Sequence, residues 1–336
     1  MSISVRDVAA RAGVSVGTVS NVLNRPDKVS AETVQRVTRA ISELGFIRND
    51  AARQLRAGRS KTLGLVVLDV RNPFFTDVAR GAEDQAALAG LTVTLGNSDE
   101  NPEREAKYLD LFDEQRVHGV LISPYADITA RLIALRNRGI PAVLVDRSSG
   151  DLSFSSVSVD DLEGGRMAVE HLIAQGRRRI AFIGGPMGIR QVTDRLAGAQ
   201  DAAAAHPDVT LEIITIDALS VIEGRRAGAA IVDRAPADRP DAIFAANDLV
   251  AMGVLQALMM QARVNVPDEI ALIGYDDIDF ASAAVVPLSS IRQPSALIGQ
   301  TAVEILLEEA ADATTPPRQV VFEPELVVRD SSRGLA

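Results

Sequence analysis

From residue 62 onward, short apolar segments alternate with amphipathic ones, and this alternation restricts the fold more than any other feature of the chain. The apolar segments are rich in β-branched residues and predict strands, among them TLGLVVLD, GVLISP, PAVLVDR, RRIAFIGG, DAIFAAND and IALIGYDD. Fully apolar strands that alternate with helices are typical of parallel sheets covered on both faces. About ten such strands predict two sheets rather than one, in the α/β class.

Polar side chains follow the predicted strands at their carboxyl ends, where open α/β sheets bind ligands. Carboxylate, amide and guanidinium groups at this edge suit the vicinal hydroxyls of a polyol, and a phenylalanine offers a flat apolar face for sugar C–H groups. The residues placed in this way are Asn72, Phe74, Phe75, Asp146, Arg147, Asn247, Asp248, Asp276, Asp277, Arg292 and Gln293, and Arg195 lies just after the RRIAFIGG strand. Turns after strands are rich in Asp and Asn in any case, but so many positions placed alike favour a binding site.

A different pattern precedes the first strand. Residues 4–24, SVRDVAARAGVSVGTVSNVLN, predict two short helices joined by a tight turn. Ser4 and Ser15 are suitable N-caps, and Gly13 supplies the left-handed residue that ends the first helix. A third capped helix begins after Ser30. The pattern predicts a helix-turn-helix, which reads DNA through its second helix; an ordinary helical hairpin is the alternative.

The charge distribution supports a DNA-binding N-terminus. Residues 1–60 contain ten Arg or Lys and five Asp or Glu, a net charge of +5. The whole chain carries −10, so residues 61–336 carry −15. Because salt screens charges beyond roughly 10 Å, the local balance matters more to phosphate contacts than the acidic total.

Composition excludes several functional classes. The chain has 336 residues, too many for one compact core, and no cysteine, so disulfides and thiolate metal sites are excluded. The N-terminus lacks a secretory signal and no apolar run approaches the length of a transmembrane helix. We therefore expect a cytoplasmic protein without a membrane partner.

An enzyme is a weak alternative. The three histidines, His118, His171 and His206, have no catalytic or metal-ligand spacing. A dehydrogenase with this alternation of strands and helices needs a G-x-G-x-x-G turn. Gly184-Gly185-Pro186 has a different spacing, and its proline has no N–H donor. We expect no catalytic residues, no cofactor and no metal.

Taken together, these motifs resemble the lactose/galactose repressor family of bacterial transcription regulators. The resemblance extends over the whole chain and is most specific in DVAARAGVSVGTVSNVLN, in LGFIRNDAARQL and in the order NPFF, VDR, AND, GYDD, RQP. It implies a helix-turn-helix headpiece at 1–47, a hinge helix or linker at 48–60, and an effector-binding and dimerisation domain at 61–336. That domain would resemble a periplasmic sugar-binding protein with two Rossmann-like lobes, an N-lobe at about 61–160 and 291–322 and a C-lobe at about 161–290 and 323–336.

The resemblance also implies DNA contacts. Val16, Gly17 and Asn21 match positions that face base edges, where Asn suits adenine and Val suits a thymine methyl. Positions that match phosphate contacts are Ser4, Ser15, Thr18, Ser20, Asn24 and Ser30. Within the hinge, the matching positions are Ala52 and Leu55. The second of these matches an apolar wedge that enters the minor groove.

Ribose-binding members offer the nearest resemblance for the effector. The positions that match the monosaccharide site of these members are Phe75, Asp146, Arg147, Arg195, Asn247, Asp276 and Gln293, with Asn72 nearby. Ser123 stands where the ribose pattern has Asn. We predict a homodimer that binds double-stranded palindromic operator DNA and is released by a pentose or similar small polyol. One alternative is a regulator that a purine or other metabolite activates as co-repressor. Another is a transport component that binds sugar but not DNA, which the basic headpiece disfavours.

Overall fold

The computed structural model describes residues 3–46, 60–148, 153–261 and 264–334. The chain divides into two compact units between Arg59 and Ser60. The predicted hinge or linker at 48–60, with Ala52 and Leu55, lies outside the described residues except for Ser60.

The first unit is a helical headpiece. Its helices are α1 (Val5–Ala12), α2 (Val16–Asn24) and α3 (Ala31–Leu44), with a 3-10 helix at Pro26–Lys28. Apolar side chains from all three α-helices are buried together with one phenylalanine: Val8, Ala9, Ala12, Val19, Val22, Val37, Ala40 and Phe46. The three-helix headpiece predicted from the sequence is confirmed.

The ends of the first two helices follow their sequence signals. In a reciprocal capping box, the Ser4 Oγ accepts from the amide of Asp7, whose carboxylate accepts from the amide of Ser4. Gly13 has a φ of 66°, a left-handed conformation that disfavours side chains with a Cβ. Ser15 caps α2 by accepting from the amide of Thr18 at 3.0 Å. These caps fix where α2 begins relative to α1.

The second unit contains two six-stranded sheets within its described residues. The first sheet, in the order β11-β5-β4-β3-β1-β2, is parallel and consists of β1 (Thr62–Val67), β2 (Thr92–Asn97), β3 (Gly119–Ile122), β4 (Ala142–Val145), β5 (Ser155–Val159) and β11 (Gln319–Phe322). The second sheet, in the order β12-β10-β9-β8-β6-β7, consists of β6 (Arg179–Gly184), β7 (Thr210–Thr215), β8 (Ala242–Ala245), β9 (Ala271–Asp276), β10 (Ser289–Arg292) and β12 (Glu325–Val327). Only β12 in these sheets is antiparallel to its neighbour.

Helices cover both sheets, and we call each sheet with its helices a lobe. The N-lobe holds the first sheet with α4 (Pro73–Leu88), α5 (Pro102–Glu114), α6 (Thr129–Asn137) and α12 (Ser295–Ala311). The C-lobe holds the second sheet with α7 (Asp161–Ala174), α8 (Arg190–Ala204), α9 (Val221–Val232), α10 (Asp248–Gln261) and the single turn α11 (Asp279–Ser282), besides a 3-10 helix at Pro236–Asp238. Strands β3, β4, β8 and β9 are buried along their whole length, as expected for parallel strands covered on both faces.

The chain crosses between the lobes after β5, after β10 and after β11. The predicted boundary at 290/291 is corrected by the register of β10. Ile291 and Arg292 pair with Tyr275 and Asp276 of β9 in the C-lobe, so the crossing follows Arg292. The sequence alone could not place this boundary, because an apolar strand end looks the same in either sheet.

Helices α7 and α8 approach so closely that glycine is required on both. A Cβ added to Gly165 would lie 2.0 Å from the carbonyl oxygen of Arg195, and one added to Gly198 would lie 1.9 Å from that of Leu162. Such distances are far inside van der Waals contact, so any side chain would separate the helices. This contact fixes the backbone from which the Arg195 side chain extends.

Candidate functional site

The exposed face of α2 presents the predicted base-reading residues. Val19 and Val22 are buried against the other helices, whereas Val16, Gly17 and Asn21 are exposed. Val16 is 46% exposed although its side chain is apolar. An exposed apolar group beside an exposed amide suits a surface that meets base edges.

The predicted phosphate contacts lie around the same helices, and several of them are helix caps. The Ser15 hydroxyl also lies 2.9 Å from the Thr18 hydroxyl, and Ser30 caps α3 through the amide of Thr33. Asn24 donates its side-chain amide to the Ser20 carbonyl at 2.8 Å at the end of α2. Ser4, Ser15, Asn24 and Ser30 are exposed, while Thr18 and Ser20 are half-buried.

In the second unit, a cleft lies between the carboxyl ends of the two parallel sheets. Asn72 follows β1 and caps α4 by accepting from the Phe74 amide at 3.1 Å. Its Nδ2 donates to Oδ2 of Asp276, at the end of β9, over 2.8 Å. This hydrogen bond joins the N-lobe to the C-lobe.

A second hydrogen bond crosses the cleft nearby. Asp146 follows β4 with a φ of 56°, and its Oδ2 accepts from Nε2 of Gln191 on α8 at 2.8 Å. The Gln191 amide also donates to the carbonyl of Asp146. Desolvation by burial, reinforced by the nearby carboxylate of Asp161, raises the pKa of Asp146 well above its ordinary value.

Arg195 lies at the centre of the buried polar groups. Its Nε donates to Oδ1 of Asp161 at 2.7 Å, one terminal nitrogen donates to the carbonyl of Ala246 at 2.8 Å, and the same nitrogen lies 3.7 Å from Oδ1 of Asp276. The guanidinium stacks 3.6 Å from the centroid of the Tyr275 ring. Burial lowers the pKa of Arg195, but the carboxylates of Asp161 and Asp276 outweigh burial and raise it, so the group stays charged.

Asp276 is the point where both lobes and Arg195 converge. Besides the bond from Asn72, its Oδ1 accepts from Nε2 of Gln293 at 2.8 Å, in the crossing after β10. Burial raises the pKa of Asp276, opposed by Arg195 and by these two amide donors. The residue has a φ of 101°, which holds the carboxylate at the strand end in an uncommon backbone conformation.

One wall of the cleft is apolar. Phe74 and Phe75 are almost fully buried, with ring centroids 5.0 Å apart and planes at 70°. Ile189, Val192 and Leu219 face the cleft from the C-lobe. The cleft encloses about 30 Å³, room for roughly one or two water molecules. A sugar must therefore replace the Asn72–Asp276 and Gln191–Asp146 bonds or widen the space between the lobes.

Several buried polar atoms of Gln191 and of the predicted effector residues have no hydrogen-bond partner within the described part of the chain. Three are acceptors: Asp146 Oδ1, Gln191 Oε1 and Gln293 Oε1. The others are Asn247 Nδ2 and Ser123 Oγ. Unpaired buried polar groups cost free energy, so Asp146 Oδ1 and Gln191 Oε1, on two residues that line the cleft, favour a polar ligand there.

The effector residues predicted from the sequence form three groups by location. Those that line the cleft are Asn72, Phe74, Phe75, Asp146, Arg195 and Asp276. Gln293 supports Asp276, Asn247 accepts from the Val250 amide at the start of α10, and Ser123 is fully buried after β3. Arg147 instead lines an adjoining cavity of about 300 Å³ that also contains Arg190 and Asp194.

Sequence reasoning missed Asp69, Glu100 and Gln191, which also line the cleft. Asp69 follows β1 closely enough that the strand-end rule identifies it. Gln191 lies in the first turn of α8, and its direction depends on how that helix crosses the sheet. Glu100 lies beyond the end of β2, in a turn whose backbone the sequence does not predict.

Glu100 has an altered acidity. Desolvation by burial, followed by the nearby carboxylate of Asp69, raises its pKa from 4.5 to about 7, while Arg71 opposes the shift. When the pKa of a carboxyl group is higher in the folded protein than in the unfolded one, the group stabilises the fold at pH values below its unfolded-state pKa. That contribution is lost as the pH rises through its folded-state pKa. The contribution of Glu100 therefore declines between pH 4.5 and about 7.

We expect Glu100→Gln to remove this contribution. The free energy of unfolding of the wild type, relative to the variant, should fall between pH 4.5 and about 7 because only the wild type must ionise a partly buried carboxyl. Urea unfolding across this range measures the difference. Glu103→Gln, an exposed change three residues away, should leave the pH dependence of the wild type intact. Parallel curves for the wild type and Glu100→Gln would contradict the assignment.

Within the described ranges, no cluster of three His, Cys, Asp or Glu side chains could hold a metal ion. None of the described helices is long and apolar enough to span a membrane.

Comparison with known proteins decides the family. The model for bacterial regulatory proteins of the lacI family matches residues 4–49, and that of a periplasmic binding protein-like domain matches 169–332. The HTH-type transcriptional repressor PurR of Photobacterium profundum is 34% identical, with 99% of each chain covered. The chain belongs to the lacI family. It is a DNA-binding transcriptional regulator with a helix-turn-helix headpiece and a two-lobed α/β domain.

Other lacI-family proteins are similar over the same length. The ribose operon repressor of Halalkalibacterium halodurans is 32% identical, covering 98% of this chain and 97% of that protein. The structure of the transcriptional regulator CelR–cellobiose complex has a TM-score of 0.72 at 32% identity, covering 98% and 99%. The lac repressor dimer bound to operator and the anti-inducer ONPF has a TM-score of 0.83 at 28% identity, covering 99% of each chain.

Proposed function

We propose that this regulator is a homodimeric repressor that a small sugar, a pentose or similar monosaccharide or polyol, releases from a palindromic operator. The supporting observation is the convergence of Asn72, Asp146, Arg195 and Asp276 from both lobes beside the ring of Phe74. Amide, carboxylate and guanidinium groups lie together there and suit the vicinal hydroxyls of a sugar. The neighbouring aromatic ring suits its C–H groups. The ribose operon repressor and the CelR–cellobiose complex support a sugar as ligand.

The two hydrogen bonds that cross the cleft supply the coupling. A ligand shifts a conformational equilibrium only when it interacts differently with the two states. Sugar hydroxyls that replace the Asn72–Asp276 and Gln191–Asp146 bonds change how the lobes are held together. In the proposed mechanism, the resulting movement of the N-lobes separates residues 49–57 of the two chains. The two headpieces then no longer fit half-sites one helical turn apart.

The DNA-binding part of the proposal assigns base contacts to Val16, Gly17 and Asn21, and minor-groove insertion to Leu55. The remaining DNA contacts are assigned to phosphates, which set register without carrying sequence information. A regulator with these roles acts where the chromosome is, so we place it in the cytoplasm. We assign it no catalytic activity, since the polar groups of the cleft pair with one another rather than with a positioned nucleophile.

Two measurements on the full-length protein test the proposal. Titration calorimetry with unphosphorylated pentoses, hexoses, cellobiose and purine bases should give binding for a sugar. Gel shifts on a palindromic fragment selected in vitro by the protein should then show affinity falling at least about tenfold with that sugar, a coupling within the usual 1–3 kcal/mol. Tighter DNA binding with the sugar, or binding of a purine but no sugar, would overturn it.

A further inference from the structure

The turn after β2 is strained and faces the cleft. Asp99 and Glu100 are consecutive, neither is glycine, and both have a positive φ, 53° and 54°. Left-handed backbone is uncommon for such residues and persists only where the surroundings enforce it. Strain of this kind concentrates at ligand sites, so the function of the turn lies in where it places its side chains.

Ion pairs hold the turn in this conformation. Asp99 accepts from a terminal nitrogen of Arg71 at 3.0 Å and from one of Arg104 at 2.9 Å. Nε of Arg71 also lies 2.9 Å from both carboxylate oxygens of Asp69. These ion pairs balance the charges of Asp69 and Asp99 but do not include Glu100. Within the described ranges, no group donates a hydrogen bond to the Glu100 carboxyl, although it lines the cleft.

Carboxyl groups outnumber guanidinium groups in the lining of the cleft. Its lining includes the carboxyl groups of Asp69, Glu100, Asp146 and Asp276, against the single guanidinium of Arg195. Arg195 is already paired with Asp161, so its charge is not free to bind an anion. The unpartnered atoms on lining residues, Asp146 Oδ1 and Gln191 Oε1, are acceptors and require a ligand that donates hydrogen bonds.

We infer that Glu100 is a specificity-determining residue of the cleft, which selects a polyol or amino sugar without an anionic group and rejects phosphorylated or carboxylated sugars. This inference rests on the proposed sugar-binding function and states which chemical form of sugar the site takes. Hydroxyl and ammonium groups donate to the Glu100 carboxyl and to the unpartnered oxygens of Asp146 and Gln191. A phosphate ester carries about −1.5 to −2 charges and three acceptor oxygens, so it meets like charge and acceptors facing acceptors.

Paired ligands test this directly on the full-length protein. We would titrate the protein separately with the two members of each pair. The pairs are ribose and ribose 5-phosphate, glucose and glucose 6-phosphate, and fructose and fructose 1-phosphate. For the pair that binds, the free sugar should bind wild type at least about 100-fold more tightly than its ester, the scale of a close like-charge contact. Glu100→Gln should bind the ester about tenfold better than wild type does, and Glu103→Gln should match wild type. Thermal unfolding at neutral pH confirms that each variant is folded.

The outcomes separate this inference from the proposed function. If an ester binds wild type as tightly as its free sugar, the site still takes sugars but the charge selection is wrong. If the preference of wild type survives unchanged in folded Glu100→Gln, Glu100 does not determine it. If neither member of any pair binds while a purine base does, the proposed sugar site fails, and the inference fails with it.

Discussion

Asp276→Asn should abolish the ligand response of this regulator while operator binding persists. The Asp276 carboxylate accepts from Asn72 and Gln293 and lies beside Arg195. Asparagine keeps one acceptor but turns an amide donor toward one of these amides and removes the charge opposite Arg195. In the proposed complex a sugar hydroxyl replaces Asn72 as donor to this carboxylate. A charge-assisted hydrogen bond contributes about 1.5–3 kcal/mol, so its loss should lower ligand affinity by about 10- to 150-fold.

Titration calorimetry measures the loss of affinity, and gel shifts with and without ligand measure the response. Asp279→Asn is the matched control, because Asp279 is exposed in the first turn of α11, three residues along the chain. The control should bind ligand and release DNA as wild type does. A wild-type ligand response in Asp276→Asn would show that the cleft is not the effector site.

Local signals made the headpiece and the strand-end residues predictable. Ser4, Gly13 and Ser15 fix helix ends through short-range hydrogen bonds and backbone preference. Because these effects depend on a few neighbouring residues, the sequence predicts them. Asn72 and Asp276 follow buried strands, and parallel topology brings the carboxyl ends of such strands together. Their mutual contact at 2.8 Å, across 204 positions, also requires the two sheets to face each other, which the strand pattern does not encode.

The rest of the cleft depends on geometry that no short segment encodes. Gln191 reaches Asp146 because glycines let α8 lie against α7, which sets the direction of its first turn. Glu100 faces the cleft because ion pairs to the preceding residue, Asp99, hold a left-handed turn. Arg147 shows the converse: it follows β4 as predicted, but its side chain lines the adjoining cavity. Strand-end position identifies candidates, while the local backbone decides which way each one points.

Asn21→Ala should weaken operator binding by about 100-fold or more and leave binding to unrelated DNA nearly unchanged. Asn21 is exposed on α2, whereas Val19 and Val22 are buried. A bidentate amide contact to a base contributes about 1–3 kcal/mol of discrimination. A dimer on a palindrome loses that contact in both half-sites, so the two losses combine. Binding to unrelated DNA persists because phosphate contacts supply it.

Gln35→Ala is the control for this variant, since Gln35 is also an exposed amide of the headpiece but lies on α3. It should retain operator affinity within a few-fold. Competition gel shifts, with operator and unrelated duplex at one salt concentration, measure specificity rather than overall affinity. An equal loss on both DNAs would assign Asn21 to the phosphate backbone instead of to a base. An unchanged specificity ratio together with full affinity would mean that another face of the headpiece reads the operator.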